Sequence, residues 1–194
     1  MNLLIFDVDG TLTATNEVDT RCFARAFLET FGIALNTSWH IYPHRTDSGI
    51  ICHSFSQHFR RTPTAIELDL FRERFLILLE REWRTAPQDF AAIAGATRAF
   101  MRIAQQRDYA LTLATGGWRA SALFKLEKGG IPVLGLPAAF ADDAAEREEN
   151  CSNRDRARKI LSSARVRSDH SRGGFRLRCH YGGAPWTRVR GNRG

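Results

Sequence analysis

The sequence lacks the features that mark several classes of protein. Its four cysteines, Cys22, Cys52, Cys151 and Cys179, form no CxxC pair, which argues against a zinc site or a redox motif and predicts isolated reduced thiols. No apolar run approaches the roughly 18 residues that a membrane helix needs. The N-terminus has no basic lead-in, and its apolar stretch stops at Asp7. We therefore expect a cytoplasmic protein without a signal peptide or membrane contact.

Acidic residues are scarce in the last part of the chain. Residues 151–194 contain 12 Lys or Arg against two Asp or Glu, whereas residues 1–150 contain 16 against 19. The net charge of +7 therefore comes from the C-terminal part alone. Aromatic residues stand between these arginines, so nucleic-acid binding by this part is an alternative function. It matches no known binding motif, and we expect no nucleic-acid partner.

The hydrophobic pattern that is present predicts an α/β fold. Apolar residues at helical spacing occur in four stretches before the second strand: 17–31, 50–60, 64–84 and 92–106. Predicted strands lie at residues 3–6, from residue 109 onward, and within IPVLGLPAAF, with a glycine-terminated helix between the last two. This order predicts a parallel sheet with a helical insertion after its first strand.

The stretch DVDGTLT, residues 7–13, directly follows the first predicted strand. Asp7 and Asp9 alternate with Val8, so in extended backbone both carboxylates point the same way at the strand end where parallel sheets bind ligands. Such a pair can supply a nucleophile or cation ligand together with an acid–base group. If only the DxD pattern is considered, the alternative is a strand that ends in an ordinary Asp-Gly turn. The full string DVDGTLT after an apolar run favours the catalytic interpretation.

This string resembles the first motif of the haloacid dehalogenase (HAD) superfamily, in particular its phosphoglycolate-phosphatase-like branch. The match comprises Asp7, Asp9, Gly10, Thr11, Leu12 and Thr13. The resemblance implies a Rossmann-like parallel core with an inserted helical cap. It implies that Asp7 attacks phosphorus to form an aspartyl phosphate, that Asp9 protonates the leaving group and then activates water, and that Mg²⁺ binds the Asp7 carboxylate and the Asp9 carbonyl. The implied substrate is a small phosphorylated metabolite, and a phosphomutase is an alternative.

Phosphate binding requires further residues. Thr115 closes the second predicted strand, and Gly116 and Gly117 leave its hydroxyl and the nearby N–H groups free for an anion. This stretch resembles the family's phosphate-binding motif. A cation must also neutralise the transferring phosphoryl group. Arg147 is our preferred candidate, because relatives place a similar Arg-Glu-Glu helix after an acidic loop. Lys128 is the second, although a lysine at a helix C-terminus is commonly solvated.

The segment HRTDSGI resembles the substrate loop of family members that carry a cap. The resemblance makes His44, Arg45, Thr46 and Asp47 candidates for substrate specificity. In the alternative interpretation, Thr46 and Asp47 simply cap the helix that begins near Ser48. The implied division of the chain is a core (1–14 and 93–149), a cap (15–92) and a tail (150–194).

The family's last acidic motif, of the form GDxxxD, is missing after Arg147. Periodicity also vanishes from Asn150 onward. Translated one nucleotide later, residues 172–179 (RGGFRLRC) are compatible with VGDSxYDV, and the flanking segments are compatible with the family's neighbouring elements in the correct order. We therefore predict a frameshift close to Glu149–Asn150. Residues 150–194 would then be an irregular basic tail, and we expect weak folding and little turnover because Mg²⁺ loses ligands.

Overall fold

The strands form a parallel sheet. The computed structural model describes residues 2–133 and 135–145. Within them the strand order is β1-β2-β3, with bounds β1 (Asn2–Phe6), β2 (Tyr109–Ala114) and β3 (Ala138–Ala139). Asn2 lies opposite Tyr109 and Phe6 opposite Leu113, so β1 and β2 end at the same sheet edge. The predicted α/β class with a parallel sheet is confirmed.

Four helices separate β1 from β2 in the sequence. They are α1 (Asn16–Phe31), α2 (Asp47–Phe59), α3 (Ala65–Thr85) and α4 (Ala96–Ala104). Helix α5 (Arg119–Lys128) joins β2 to β3, and the short α6 (Asp142–Ala145) follows β3. Single 3-10 turns occur at Trp39–Ile41 and Pro87–Phe90. We refer to α1, α2 and α3 together as the inserted helices.

The chain leaves the sheet and returns to it through two adjacent segments. The N–H of Ala14 donates to the carbonyl of Ala91 at 2.9 Å, and the N–H of Ile93 donates to the carbonyl of Leu12 at 3.0 Å. The hydrophobic periodicity predicted a helix from residue 92, but the main chain at the start of that stretch forms this pairing instead. Helix α4 therefore begins only at Ala96.

Two buried apolar clusters form the core. The smaller one surrounds the sheet and includes Val8, Leu113 and Phe140. The larger one lies among the inserted helices and is rich in aromatic rings. In it the Phe23 ring meets the Phe71 ring edge-on, with 4.9 Å between centroids. Edge-to-face pairs of this kind add stability beyond the area they bury, which favours close packing of α1 against α3.

One edge of β1 is open in the part of the chain that the structure describes. There, β1 pairs only with β2. The side chain of Ile5 on this strand is 41% exposed. Unpaired main-chain groups beside exposed apolar side chains invite pairing with another strand.

Helix α3 begins with a reciprocal capping arrangement. The Thr64 hydroxyl accepts a hydrogen bond from the N–H of Glu67, and the Glu67 carboxylate accepts one from the N–H of Thr64. We expect Thr64→Ala to lower the free energy of unfolding by about 1 kcal/mol, because an N–H at the helix start loses its partner. Urea denaturation measures this change. Thr62→Ala, just outside the helix, is the matched control, and equal losses in both variants would contradict the capping role.

No described helix combines the length and the apolar character that crossing a bilayer requires. The preferred phosphoryl-binding cation Arg147 and the tail of residues 150–194 lie outside the described residues.

Candidate active site

Asp7 and Thr115 lie at the carboxyl ends of neighbouring strands. Asp7 directly follows β1, and Thr115 directly follows β2. Because the two strands are parallel and in register, both ends meet at one edge of the sheet. Ligands of open parallel sheets bind outside this edge. The structure thus brings together two candidates that are more than a hundred residues apart in the sequence.

The turn after β1 is closed by its own main chain. The carbonyl of Val8 accepts hydrogen bonds from the N–H groups of residues 11–13, at 3.3, 2.9 and 3.0 Å. Gly10 has a φ of +76°, in the left-handed region that glycine adopts without steric cost. The glycine of DVDGTLT is therefore required by the turn that places Asp7 and Asp9.

The Asp7 carboxylate is fixed by one main-chain contact and faces solvent with its remaining surface. Its Oδ1 accepts a hydrogen bond from the N–H of Val8 at 2.8 Å. Partial burial raises the pKa of Asp7, and repulsion by Asp9 adds to the rise. The Val8 N–H, the Thr115 hydroxyl and the charge of Lys125 act in the opposite direction. Asp7 is thus a carboxylate with one oxygen held and one available.

The Asp9 carboxylate is held at both oxygens. Oδ1 accepts from the Thr15 hydroxyl at 2.5 Å, and Oδ2 accepts from Lys125 Nζ at 2.6 Å. The Thr15 hydroxyl also lies 2.6 Å from the hydroxyl of Thr13. These contacts prevent rotation of the carboxylate and leave it paired with a positive charge.

Lys125 is a site residue that the sequence-based search missed. Its side chain is 1% exposed, and Nζ lies 2.6 Å from Asp9 and 2.5 Å from Asp19 of α1. Burial acts to lower the pKa of Lys125, but the carboxylates of Asp19 and Asp9 outweigh it and raise the pKa. The sequence did contain an indication of its burial, because Lys125 lies on the buried face of α5 with Ala122 and Leu126. A lysine on such a face is rarely buried unless it is paired.

The other proposed cations are placed differently. Lys128, one turn beyond Lys125, contacts the Glu127 carboxylate at 2.8 Å. Its Nζ also lies 4.3 Å from the centre of the Trp83 ring. Only 20% of the Lys128 side chain is exposed, so it is less solvated than the simpler interpretation of a lysine at a helix end predicts, and a phosphate-binding role for Lys128 stays a prediction. Arg147 lies outside the described residues, so its role stays a prediction.

Thr115 and Gly116 form a compact loop beneath the inserted helices. The Thr115 hydroxyl accepts a hydrogen bond from the N–H of Gly117 at 3.2 Å, and its side chain is buried. A Cβ at Gly116 would lie 2.9 Å from the carbonyl oxygen of Arg45. Glycine therefore lets the segment before α2 approach this loop, and the two segments share a hydrogen bond from the Asp47 N–H to the Gly116 carbonyl at 2.8 Å.

The predicted specificity residues divide into two groups. Thr46 caps α2 by accepting from the N–H of Gly49, so the capping interpretation of Thr46 is confirmed. Asp47 is buried, and its Oδ2 accepts a hydrogen bond from the N–H of Trp118 at 2.9 Å. Burial and the nearby Asp19 carboxylate raise the pKa of Asp47. Arg45 is exposed beside this loop, as is His44. A specificity role for any of them stays a prediction.

The described residues do not complete a Mg²⁺ site. Within residues 2–133 and 135–145, no group of three or more His, Cys, Asp or Glu side chains is placed to hold a metal ion. Mg²⁺ takes six oxygen ligands in octahedral geometry. Both Asp9 carboxylate oxygens are engaged by Thr15 and Lys125, which leaves the Asp7 carboxylate and main-chain carbonyls as possible ligands. Mg²⁺ binding at Asp7 and Asp9 stays a prediction.

Comparison with known proteins identifies solved structures of the same fold. No protein-family model and no curated protein matches the chain. A hydrolase from Pseudomonas syringae matches with 20% identity and a TM-score of 0.55 over 74% of this chain and 62% of that one. A predicted phosphoglycolate phosphatase from Haemophilus somnus matches with 13% identity and a TM-score of 0.47 over 72% and 61%.

This chain thus spans less than two thirds of the length of these two relatives. At such low identity, the Pseudomonas match is informative about the fold alone. Together with the parallel strand order and the helices inserted after β1, it confirms the predicted HAD-like fold.

Proposed function

We propose that this chain carries the site of a HAD-type hydrolase that cleaves a small phosphate monoester. The proposal rests on one observation. Asp7 and Thr115 lie together at the shared strand edge, while Lys125 and Thr15 hold the Asp9 carboxylate two residues after Asp7. A carboxylate nucleophile, a second carboxylate, an anion-binding hydroxyl and a buried cation are the groups that phosphoryl transfer through a covalent intermediate uses.

In the first step, the free oxygen of Asp7 attacks phosphorus. The bond between phosphorus and the ester oxygen breaks, and the leaving oxygen takes a proton from Asp9. In the second step, Asp9 removes a proton from water, which attacks the aspartyl phosphate and releases inorganic phosphate. The contact with Lys125 Nζ holds the Asp9 carboxylate in place for both steps. Thr115 holds a phosphoryl oxygen through both steps.

The substrate is proposed to be a small phosphorylated metabolite, with a phosphomutase as the alternative. Residues 15–92 are proposed as the cap, with Arg45 as the exposed candidate for substrate contact. We further propose that the remaining acidic ligands are encoded out of frame beyond Glu149, so that turnover by this chain is slow. Resequencing the gene tests this point. An intact frame that encodes residues 150–194 as written in an independent isolate would refute it.

The function is tested on the purified full chain with p-nitrophenyl phosphate. We expect slow phosphate release that orthovanadate, a mimic of the transferring phosphoryl group, inhibits competitively. Thr115→Val removes the hydroxyl while keeping the shape of the side chain, and should weaken orthovanadate binding about tenfold through the loss of one hydrogen bond. Orthovanadate binding is measured by calorimetry, which does not depend on turnover. Absence of both turnover and orthovanadate binding would contradict the proposed function.

The pH dependence of the reaction should reflect the raised pKa of Asp7. The nucleophile must be ionised, so a raised pKa leaves Asp7 partly protonated at a pH where an ordinary aspartate is fully charged. We expect kcat/KM to rise with pH through a midpoint above about 3.9, the ordinary aspartate value. Carbon NMR titration of the Asp7 carboxyl, assigned with Asp7→Asn, checks the same pKa without turnover. A midpoint at or below the ordinary value would contradict the description of this site.

A further inference from the structure

Trp118 joins the loop after β2 to the inserted helices. We define residues 115–118 as the phosphate loop. Trp118 ends this loop and is only 2% exposed, because its ring enters the aromatic cluster of the inserted helices. The ring stacks on Phe23 of α1, with 6.0 Å between centroids, and meets Phe71 of α3 edge-on at 5.5 Å. The guanidinium of Arg72 covers the ring at 4.9 Å.

Polar contacts tie the same residue to the start of α2. The Trp118 main-chain N–H donates to the Asp47 carboxylate at 2.9 Å, and the indole Nε1–H donates to the Ser48 hydroxyl at 2.9 Å. The Asp47 N–H in turn donates to the carbonyl of Gly116. Both N–H groups of one tryptophan and a neighbouring carbonyl are thus engaged by a segment that lies about seventy residues earlier in the sequence.

We infer that Trp118 is a positioning residue that fixes the phosphate loop to the inserted helices. The inserted helices cannot move away from the sheet edge without exposing a buried indole and breaking three hydrogen bonds at once. Movement of the inserted helices is therefore coupled to the geometry of Thr115 and Gly116. The effect of this coupling on turnover rests on the proposed function, whereas the coupling itself does not.

Hydrogen exchange on the full chain, read by mass spectrometry, tests the coupling. Trp118→Ala should raise amide exchange at least about tenfold in two separate segments, residues 44–49 and residues 115–118, because local opening becomes easier in both. Trp118→Phe keeps an aromatic ring and loses the indole N–H, so it should restore most of the protection. Exchange in residues 44–49 that stays within about twofold of the unsubstituted chain in Trp118→Ala would overturn the inference.

Phe75→Ala is the matched control. Phe75 is as buried as Trp118 and belongs to the same cluster, but its ring contacts are with Phe23 and Phe71 of the inserted helices. This variant should raise exchange in α1 and α3 and leave residues 115–118 unchanged. An equal rise in residues 115–118 for Phe75→Ala and Trp118→Ala would show a general loss of stability and overturn the inference.

Two further measurements test the inference if Trp118→Ala does not fold. Ser48→Ala keeps the indole ring and removes only the acceptor of its N–H. It should raise exchange in residues 115–118, and no change there in Ser48→Ala would overturn the inference. If the chain hydrolyses p-nitrophenyl phosphate, Trp118→Phe should raise KM while Phe75→Ala leaves it unchanged. If neither hydrolysis nor orthovanadate binding occurs, the proposed function fails while the exchange comparison remains decisive.

Discussion

Asp7→Asn is expected to lower phosphate release from p-nitrophenyl phosphate by at least about 100-fold, to the level of the buffer, because it removes the attacking group. Asparagine has nearly the same shape as aspartate, and its carbonyl oxygen can still accept the hydrogen bond from the Val8 N–H. Its neutral amide is not a nucleophile toward phosphorus. Phosphate release measured by molybdate colour at high protein concentration gives the ratio of the two rates.

The same substitution should not destabilise the fold. The pKa of Asp7 is raised in the folded chain, so above that pKa its charge disfavours folding. Asp7→Asn removes this charge and should leave the melting temperature equal or higher. The control is Asp108→Asn, an exposed aspartate that precedes β2 at the opposite edge of the sheet. Retention of more than about a tenth of the activity in Asp7→Asn would exclude Asp7 as the nucleophile.

Lys125→Met is expected to lower the free energy of unfolding by about 3–5 kcal/mol, because it leaves Asp9 and Asp19 as largely buried carboxylates without a counter-charge. Natural domains have a free energy of unfolding of only about 5–15 kcal/mol, so this loss is severe. Phosphate release should also fall to background, since Asp9 loses the contact that orients it. Urea denaturation followed by circular dichroism measures the stability.

Lys128→Met is the control for this substitution. It removes a lysine from the same helix, one that contacts Glu127 and the Trp83 ring near the surface, and should cost less than about 1 kcal/mol. Adding Asp19→Asn to Lys125→Met removes one unpaired carboxylate and should recover part of the lost stability. Similar losses for Lys125→Met and Lys128→Met would refute the buried ion pair as the source of the effect.

Several elements could be predicted from local pattern because their causes are local. The apolar spacing of α1 and α3 gave their bounds to within one residue, and the run before Asp7 identified β1. The helix predicted from residue 92 was too long at its start. Its first residues pair with residues 12–14, and such pairing over a long sequence distance has no local signature.

The site could be predicted only in part. Asp7, Asp9 and Thr115 were predicted to lie close together because they follow apolar strands, and parallel strands bring their carboxyl ends to one edge. The structure places them there, and their catalytic roles stay predictions. Lys125 was missed because its place in the site depends on ion pairs with Asp9 and Asp19, which lie more than a hundred residues away in the sequence. Asp47 was predicted to contact the substrate or to begin a helix, and its contact with Trp118 was not foreseen.

From the amino-acid sequence we could predict the order of strands and helices and a glycine in the turn after β1. These depend on residue type and short-range spacing. The tertiary structure was needed to show that Lys125, rather than Lys128, contacts Asp9, and that Trp118 connects residues 115–118 to the inserted helices. The physical reason is that a buried charge or a buried ring is stable only with partners, and here the partners come from distant parts of the chain.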